Sequence, residues 1–595
     1  MNFRTWLPAL LLVACKRDAP PPPPSVDPAA ITWPASIDAG PIPEWRTAET
    51  PKTAIDDTVS GIAKTYLVVS EAELASKVGR DVLASGGNAV DAAVATAFAL
   101  AVVHPTAGNI GGGGFAVVRL GPGKAVALDF REVAPAAATD TMFLDASGKP
   151  TDASLVGHRA SGVPGAVAGL FELHKKYGKA AWRDLVRPAS KLARDGFAVD
   201  RFLAQSIVRR VDRLSRSPAS AAIWLPNAVP RSTDAVVTIP DLAAALDRIA
   251  ESGPDGFYKG ETAAAIVAEM KSGNGLITAA DLAGYKSVWR DPLRFSYRGR
   301  SIVSMPPPSS GGIVLRMTAG MFRNVALDKL PWYGPEHVHR LAEVWKRAFA
   351  ARNELLGDPA FVPEMPIAKL LSPAYTDKLA ATIDTVATPS ARVLALIEGD
   401  HTTNLCVVDA RGMAVALTTT LNTSFGSGVT VTGAGFLLNN EMDDFTAKPG
   451  MPNTFGLVQG VANKIVPGKR MLSSMSPTIV EDDTGQLVML AGAGGGPRII
   501  TAVWQTISNV IDFKQHAAAA VARQRVHHQH LPDLLYVEAE AIEQPTDETL
   551  RGKGHAVLWG NAPREFGAVT AIVRAGSGWE GTSDPRGGGA AVGDN

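Results

Sequence analysis

Apolar and polar residues alternate most regularly in two adjacent segments in the last third of the chain. Residues 400–409 follow this alternation, which predicts a half-buried strand. Residues 410–412 then predict a turn that contains a glycine, and residues 413–420 predict a second strand. The first strand opens on two consecutive threonines, Thr402 and Thr403. This pattern predicts two neighbouring strands with a pair of hydroxyl side chains near one end.

The first part of the chain carries both helical and strand periodicities. Apolar residues recur at helical spacing over residues 71–84, and two glycines then predict the end of that helix. Asn88 can cap a second helix directly afterwards. Further on, the chain as far as residue 384 has mainly helical patterns with loops. Strands are predicted at residues 67–69, 116–120 and 125–130.

Later segments place polar groups at the ends of predicted elements. Residues 435–445 predict an apolar strand that ends in acids. Residues 448–460 are rich in Pro and Gly and predict a mobile loop that could act as a lid. A strand at 487–490 leads into the glycine-rich residues 491–498, and a helix follows. Backbone amides between a strand and a helix suit an oxyanion hole.

A second glycine-rich segment, residues 108–115, has four consecutive glycines. It lacks the Lys-Ser/Thr of a phosphate-binding loop, and a strand rather than a helix follows it. We therefore expect close backbone packing there and no phosphate site.

Composition places most of the chain in the globular class. Of 595 residues, 46% are hydrophobic and 19% are charged, so extensive disorder is not expected. Lys plus Arg equals Asp plus Glu at 58 each, which leaves no overall basic field for nucleic acid or an anionic membrane surface.

The N-terminus has the pattern of an export signal. Residues 1–14 contain one arginine and an apolar run too short to span a bilayer, and Cys15 follows small residues. This resembles a bacterial lipoprotein signal, in which Cys15 becomes the lipidated terminus. The alternative is a plain signal peptide with an incidental cysteine. Residues 15–60 are rich in proline and predict an extended tether that holds the folded body off the membrane.

Only two cysteines occur, Cys15 and Cys406, so a multi-cysteine metal site is excluded. Lipidation of Cys15 would also exclude a disulfide within the chain. Cys406 occupies an alternating strand position, which favours a small buried hydrophobic side chain over a nucleophile.

The central hypothesis concerns the peptide bond between His401 and Thr402. If this bond is cut, Thr402 becomes a chain terminus that carries a hydroxyl and an α-amine on one residue. A free α-amine titrates at about 7.7–8.0 and can deprotonate the hydroxyl, which makes it a nucleophile. The ordinary alternative is that two threonines simply begin a strand, which suits β-branched residues.

At this point the chain resembles the gamma-glutamyltranspeptidases, self-cleaving members of the N-terminal nucleophile hydrolases. The similarity extends from about residue 69 to residue 586, and several specific blocks occur in one order. The blocks are residues 86–93, 108–115, 129–132, 418–422, 438–445, 472–478 and 495–500.

The resemblance implies roles for individual residues. Thr402 falls at the nucleophile, and the His401–Thr402 bond falls at the autoprocessing site. Thr403 and Thr420 fall where hydroxyls support the nucleophile. The remaining positions fall where an oxyanion is stabilised (Gly495, Gly496), where a substrate α-carboxylate is held (Arg131, Ser473, Ser474) and where an α-ammonium is held (Asn422, Glu441, Asp444).

Several positions depart from the family pattern. Asn404 stands where some relatives have histidine, and Phe455 stands in the presumed lid where some have tyrosine. Phenylalanine cannot make the hydrogen bond of a tyrosine, so closure of the lid is an open question. Glu441 stands where some bacterial relatives have glutamine, and Gly494 and Pro497 alter the presumed oxyanion loop locally.

The resemblance implies an α+β fold, a four-layer αββα sandwich built from a large fragment (residues 61–401) and a small fragment (residues 402–595). It implies an exported transferase and hydrolase that acts on γ-glutamyl amides such as glutathione and passes the acyl group to water, amino acids or peptides. Neither a metal nor an organic cofactor is needed for this chemistry. The alternatives are a related acylase for β-lactam side chains or poly-γ-glutamate, and an uncleaved lipoprotein without activity.

Overall fold

A computed structural model describes most of the chain. The described residues are 59–390, 402–449, 451, 453–455, 457, 459–531, 533–560 and 566–594. The predicted signal segment, nearly all of the predicted tether, and His401 lie outside them. The first strand begins at Ser60, the last residue assigned to the tether.

Strands occur on both sides of Thr402. They are β1 (Ser60–Ala63), β2 (Leu67–Ser70), β3 (Gly113–Gly121), β4 (Lys124–Asp129), β5 (Phe197–Ala198), β6 (Val236–Val237), β7 (Val288–Arg290), β8 (Leu293–Tyr297), β9 (Arg300–Ser304), β10 (Thr403–Val408), β11 (Ala414–Thr420), β12 (Thr478–Glu481), β13 (Leu487–Gly494), β14 (Val526–His527), β15 (Leu535–Glu538), β16 (Val557–Gly560), β17 (Ala568–Ala575), β18 (Gly578–Ser583) and β19 (Ala590–Gly593).

Helices surround these strands. They are α1 (Glu73–Ala84), α2 (Ala89–Val103), α3 (Ala166–Tyr177), α4 (Trp182–Asp195), α5 (Arg201–Arg209), α6 (Val211–Leu214), α7 (Pro218–Trp224), α8 (Pro240–Ser252), α9 (Asp255–Tyr258), α10 (Gly260–Ser272), α11 (Ala279–Gly284), α12 (Gly311–Met321), α13 (Pro335–Leu355), α14 (Ile367–Leu371), α15 (Pro373–Ala380), α16 (Arg498–Ile511), α17 (Ala517–Ala522) and α18 (Gln544–Gly552).

Two seven-stranded sheets form the centre of the described structure. Sheet I has the order β19-β2-β10-β11-β3-β4-β7, and sheet II has the order β1-β18-β17-β13-β12-β9-β8. Every neighbouring pair within each sheet is antiparallel. Each sheet combines strands that precede Thr402 with strands that follow it. Smaller sheets join β14, β15 and β16, and β5 with β6.

The alternation of side chains in β10 explains why sheet I is covered on both faces. Leu405 and Val407 point into one core cluster with helices α1, α2, α3, α4 and α8, whereas Cys406 and Val408 point into a second cluster. The second cluster also contains residues of sheet II and of helices α12, α13 and α16. The layers are therefore helices, sheet I, sheet II and helices, and the predicted αββα sandwich is confirmed.

Local signals placed several helix boundaries correctly. The Asn88 side chain accepts hydrogen bonds from the backbone N–H groups of Val90 and Asp91, and the Asp91 carboxylate accepts from the backbone N–H of Asn88. This reciprocal cap fixes the start of α2, as the sequence predicted. Every residue of α2 is buried, because the helix lies between sheet I and the outer helices.

The glycine block at 108–115 packs against backbone, as expected. A Cβ atom on Gly112 would lie 2.1 Å from the carbonyl oxygen of Thr420, and one on Gly114 would lie 2.2 Å from that of Thr418. Only glycine permits such a close approach of β3 to β11, so this block sets the position of the strand that ends at Thr420.

Two predictions from periodicity were wrong or incomplete. Residues 435–440 do not belong to a sheet, and the acids that follow lie in a 3-10 helical turn, Glu441–Asp444. The region assigned mainly to helices also contains the hairpin of β8 and β9. Its turn has positive φ angles at Arg298 and Gly299, and the alternation of Phe295 and Tyr297 before that Arg-Gly pair was the missed signal.

Cys406 is fully buried in the second core cluster, as predicted. Burial raises the pKa of its thiol to about 12, so the thiolate needed for nucleophilic chemistry is not populated near neutral pH. Among the described helices, none has the length and apolar character required to cross a membrane.

Replacement of Phe98 by alanine tests the packing of α2. Phe98 has 0% exposure and contacts the edge of Trp182, with 5.5 Å between ring centroids. We expect a loss of about 3–5 kcal/mol in the free energy of unfolding, because the cavity cannot close fully. The midpoint of denaturant unfolding measures this. Phe361→Ala is the control, since Phe361 is 41% exposed and its loss should cost no more than about 0.5 kcal/mol.

Acid should destabilise the fold through buried histidines. Burial lowers the pKa of His337 from 6.5 to about 4, and its Nδ1 accepts a hydrogen bond from the backbone N–H of Tyr333. The unfolded chain therefore binds a proton more readily, and stability should fall as pH drops from about 6.5 towards 4. His337→Asn keeps an acceptor but cannot be protonated, so its unfolding midpoint should depend less on pH. An unchanged pH slope, equal to that of the exposed-site control His516→Asn, would contradict this.

Candidate active site

Eight of the predicted site residues line one cavity. They are Arg131, Thr402, Asn422, Glu441, Asp444, Ser473, Ser474 and Gly496. The other lining residues are mainly apolar and include Phe455, Leu457 and Pro497. Residues that are far apart in the sequence are thus brought to one end of the sandwich, where β4, β11 and β13 end and β10 begins.

Thr402 lies immediately before β10 and is partly exposed to the cavity. Its hydroxyl donates to Thr420 Oγ1 at 3.4 Å, across the pair of strands that the sequence predicted. Thr420 Oγ1 also accepts from the backbone N–H of Asn422 at 2.7 Å, which fixes the acceptor in place. The Thr402 hydroxyl is therefore oriented by the end of β11.

Thr403 faces the other side of β10 because side chains alternate along a strand. Its hydroxyl is buried and has no hydrogen-bond partner among the described residues. The structure therefore brings Thr420, but not Thr403, into contact with the hydroxyl of Thr402. Asn404 points between the sheets, with its side-chain amide 2.7 Å from Thr418 Oγ1 and 2.6 Å from Thr570 Oγ1.

Arg131 follows β4 and is only 1% exposed. Its guanidinium donates to Glu441 Oε1 and to Asp444 Oδ2, and its backbone N–H donates to Asp129 Oδ1 at 2.9 Å. Burial alone would lower the pKa of Arg131, but Glu441, Asp444 and Glu132 raise it above its ordinary value. Arg131 therefore remains a cation that joins the predicted carboxylate side of the cavity to the ammonium side.

The carboxyl groups around Arg131 are held in a dry environment. Burial raises the pKa of Glu441 well above its ordinary value and also raises that of Asp444, although Arg131 opposes both shifts. Burial likewise raises the pKa of Glu132 to about 7. Charges in such a site interact strongly because little water screens them. A ligand that enters must offer opposite charges in the right places.

Three further predicted residues complete the walls. The Asn422 side chain donates to the carbonyl oxygen of Asn440 at 2.9 Å, and its backbone has φ +76°, which asparagine tolerates. Ser473 Oγ accepts from the backbone N–H of Met475 at 3.1 Å. Ser474 Oγ accepts from Arg352 Nη2 at 3.3 Å. Each serine hydroxyl thus keeps its own proton available for a ligand in the cavity.

The loop between β13 and α16 contains Gly495 and Gly496, with φ angles of +128° and +53°. Gly496 lines the cavity with Thr402, whereas Gly495 does not appear in its lining. A Cβ atom on Gly494 would lie 1.6 Å from the carbonyl oxygen of Thr402, so this position requires glycine. The glycine at position 494, noted in the sequence, therefore allows the end of β13 to lie directly against Thr402.

Phe455 closes one side of the cavity. Its backbone carbonyl accepts from Gln529 Nε2 at 3.0 Å, and the preceding Thr454 N–H donates to Asp443 Oδ2 at 2.9 Å. Residues 450, 452, 456 and 458 of the predicted lid lie outside the described residues. At residues 454 and 455 the segment is attached to the body of the protein through backbone groups, which phenylalanine and tyrosine share.

Sequence reasoning missed Arg352 on α13, which contacts Ser474. The signal that could have revealed it is a lone charge on an apolar helix face, one turn after Ala348 and Phe349. Gln459 and Gln529 were also missed, because loop amides carry no pattern of their own. Among the described residues, no group of three or more His, Cys, Asp or Glu side chains is arranged to hold a metal ion.

Comparison with known proteins agrees with this geometry. Residues 75–594 match the family model described as gamma-glutamyltranspeptidase. The chain is 46% identical over 526 residues to a glutathione hydrolase proenzyme of Pseudomonas aeruginosa, covering 87% of this chain and 93% of that protein. It is also 46% identical over 533 residues to a glutathione hydrolase proenzyme of Escherichia coli, covering 88% and 91% respectively.

A structural relative supports the same assignment of the fold. The crystal structure of cephalosporin acylase from Bacillus halodurans superimposes with a TM-score of 0.79 at 25% identity, covering 93% of this chain and 99% of that one. The family match extends over nearly all of the folded chain, and it includes every residue that lines the cavity. This chain therefore belongs to the gamma-glutamyltranspeptidase family.

Proposed function

We propose that this protein cleaves γ-glutamyl amides such as glutathione and transfers the γ-glutamyl group to water, amino acids or peptides. The observation that carries the proposal is the charge pattern of one cavity. A buried guanidinium, two carboxylates, two serines and a threonine hydroxyl all face the same space. A γ-glutamyl group presents matching chemistry, with an α-carboxylate and an α-ammonium at one end and an amide at the other.

Substrate binding would replace the ionic contacts of the site with contacts of the same kind. The substrate α-carboxylate takes the place of acidic partners at Arg131 and accepts from the hydroxyls of Ser473 and Ser474. The α-ammonium donates to Glu441 and Asp444, with the amide oxygen of Asn422 as a further acceptor. Both ends of the amino acid are then fixed, which directs the γ-amide towards Thr402.

Acyl transfer would begin at the Thr402 hydroxyl. The free α-amine of Thr402 accepts the hydroxyl proton while Oγ1 attacks the γ-carbonyl carbon. Thr420 orients the hydroxyl, and the backbone N–H groups of Gly495 and Gly496 stabilise the oxyanion. The leaving amine takes this proton back from the Thr402 α-ammonium as the C–N bond breaks, which leaves a γ-glutamyl ester on Thr402. Water or an incoming amine then attacks this ester and regenerates the hydroxyl.

This mechanism requires cleavage between His401 and Thr402, and we propose that the chain cuts itself there. The products are a large fragment, residues 61–401 together with any retained N-terminal segment, and a small fragment, residues 402–595. The relatives from Pseudomonas aeruginosa and Escherichia coli are both named proenzymes, which supports a cleavage step. The supporting role that the family resemblance implies for Thr403 stays a proposal, since its hydroxyl is buried without a hydrogen-bond partner among the described residues.

Location follows from the N-terminal sequence. We propose that residues 1–14 direct export, that Cys15 carries the lipid and that the proline-rich residues to about 60 hold the enzyme off the membrane surface.

An acylase that removes the side chain of a β-lactam is the second candidate, because the structural relative from Bacillus halodurans is a cephalosporin acylase. A glutaryl group has the carboxylate and the amide of a γ-glutamyl group but no ammonium. The glutaryl carboxylate would compete with Asp444 and Glu441 for Arg131, and no substrate ammonium would compensate their buried charge. The site therefore favours γ-glutamyl donors.

Substitution of Thr402 by alanine tests both maturation and turnover. Thr402→Ala removes the only attacking oxygen, so we expect one full-length band on a denaturing gel and a loss of at least about 1,000-fold in γ-glutamyl anilide hydrolysis. Thr402→Ser keeps a hydroxyl and should still give two fragments, with the introduced serine as the first residue of the smaller one by N-terminal sequencing. Cleavage in the alanine variant would rule out the proposed nucleophile.

Replacement of Asp444 by asparagine tests recognition of the ammonium. A charge-assisted hydrogen bond lost in a buried site costs about 1.5–3 kcal/mol, so kcat/KM for a γ-glutamyl anilide should fall about 10–150-fold. Glutaryl anilide lacks the ammonium, and its kcat/KM should change less than threefold. Asp443→Asn is the matched control, because Asp443 is buried next door but bonds to Ser154 and Thr454 instead. Equal losses for both donors in Asp444→Asn would contradict the assignment.

A further inference from the structure

A network of buried polar side chains lies directly behind the cavity wall, with Arg352 at its centre. Arg352 belongs to α13 and is 1% exposed, and it does not line the cavity itself. Burial lowers its pKa to about 10, with Asp444 opposing and Arg131 adding to that shift. Arg352 therefore stays positively charged near neutral pH, and it is a second guanidinium close to the proposed substrate head group.

One side of this guanidinium contacts Ser474 directly and is linked through Ser310 to the backbone of Ser473. Arg352 Nη2 donates to Ser474 Oγ at 3.3 Å. Arg352 Nε donates to Ser310 Oγ at 3.1 Å, and Ser310 in turn donates to the carbonyl oxygen of Ser473 through its hydroxyl at 2.6 Å and its backbone N–H at 2.7 Å. The serine-rich segment before α12 thus connects Arg352 to Ser473.

The other side of the guanidinium reaches the acidic wall. Arg352 Nη1 donates to Gln459 Oε1 at 2.9 Å, and Gln459 Nε2 donates to the backbone carbonyl of Asp444 at 3.0 Å. Gln459 also lies at the end of the segment that holds Phe455. One cation therefore joins the serines, the turn that carries Asp444 and the base of the presumed lid.

The chemistry of a guanidinium determines what these contacts do. Arginine can only donate, so Ser474 Oγ must act as the acceptor and the proton of its own hydroxyl is directed elsewhere. Ser474 lines the cavity, where a substrate carboxylate would accept this proton. A neutral or absent side chain at position 352 would leave the Ser474 hydroxyl free to rotate, and a buried donor set would be lost.

We propose that Arg352 is a positioning residue that presets Ser473 and Ser474 for a substrate carboxylate and keeps them in register with Asp444. This inference rests on the proposed function. Arg352 touches neither the reacting amide nor Thr402, so its loss should weaken binding of the donor rather than slow the chemical step. It also joins groups that precede and follow the proposed cleavage site, which makes the carboxylate pocket a product of both fragments.

The test compares KM with kcat for a γ-glutamyl anilide in the self-cleaved enzyme produced from the complete chain. We expect Arg352→Gln to raise KM at least 20-fold and Arg352→Lys, which keeps the charge but not the planar fork, at least fivefold, with kcat within threefold of the unmodified protein. The matched control is Arg347→Gln on the same helix. Arg347 is also buried, but it donates to Glu343. Glu343 would still be paired with Lys346 after the substitution, so no unpaired buried charge would result. This control should leave KM and kcat within twofold.

A double substitution separates positioning from a general structural effect. In the Ser474→Ala background there is no Ser474 hydroxyl to orient. The fold-increase in KM caused by Arg352→Gln should therefore be at least three times smaller in that background than in the unmodified protein. An effect of the same size in both backgrounds would overturn the proposal, as would an unchanged KM in both Arg352 variants. If Arg352→Gln is not recovered folded, the Arg352→Lys pair is measured in the same way. Failure of the unmodified protein to hydrolyse the anilide would instead count against the proposed function.

Discussion

The Arg131 guanidinium, enclosed between Glu441 and Asp444, places the strictest demand on this structure, because a buried charge is tolerated only next to opposite charge. The three side chains come from the end of β4 and from a 3-10 turn more than 300 residues later. These side chains can meet only because the glycine block at residues 108–115 brings β3 against β11. The proposed site would recognise a zwitterion through contacts of the same kind as those that hold its walls together.

Much of the architecture could be predicted from the sequence, since amphipathic helices and alternating strands leave periodic signals. The Asn88 cap, β10, β11 and α16 fall close to where the pattern indicates. The fold and most of the lining residues, however, came from the resemblance to a family, because a single sequence has no information on which strand ends meet. Arg131 looks like any surface arginine until Glu441 and Asp444 are placed beside it.

The parts that sequence reasoning missed share a physical cause. The hairpin of β8 and β9 lies in a region dominated by helical residues, and its turn depends on two positive φ angles. Arg352 and Gln459 act through hydrogen bonds over long sequence separations, which no local pattern encodes. Phe455 shows the reverse case. Its missing hydroxyl left closure of the lid an open question, and the structure shows a contact that is independent of the side chain, from Gln529 to the backbone carbonyl of Phe455.

Each of the two sheets contains strands from both proposed fragments, and this affects how long the folded protein would persist. Sheet I pairs β10 with β2, and sheet II pairs β12 with β9, so each interface between the proposed fragments runs through a continuous hydrogen-bonded ladder. Separation of the fragments would break both sheets and is equivalent to global unfolding. Once the covalent link is lost, however, reassembly becomes a bimolecular reaction that depends on concentration. The mature enzyme would thus be durable while folded but unable to recover efficiently once denatured, so its lifetime would be governed by the rate of unfolding rather than by an equilibrium.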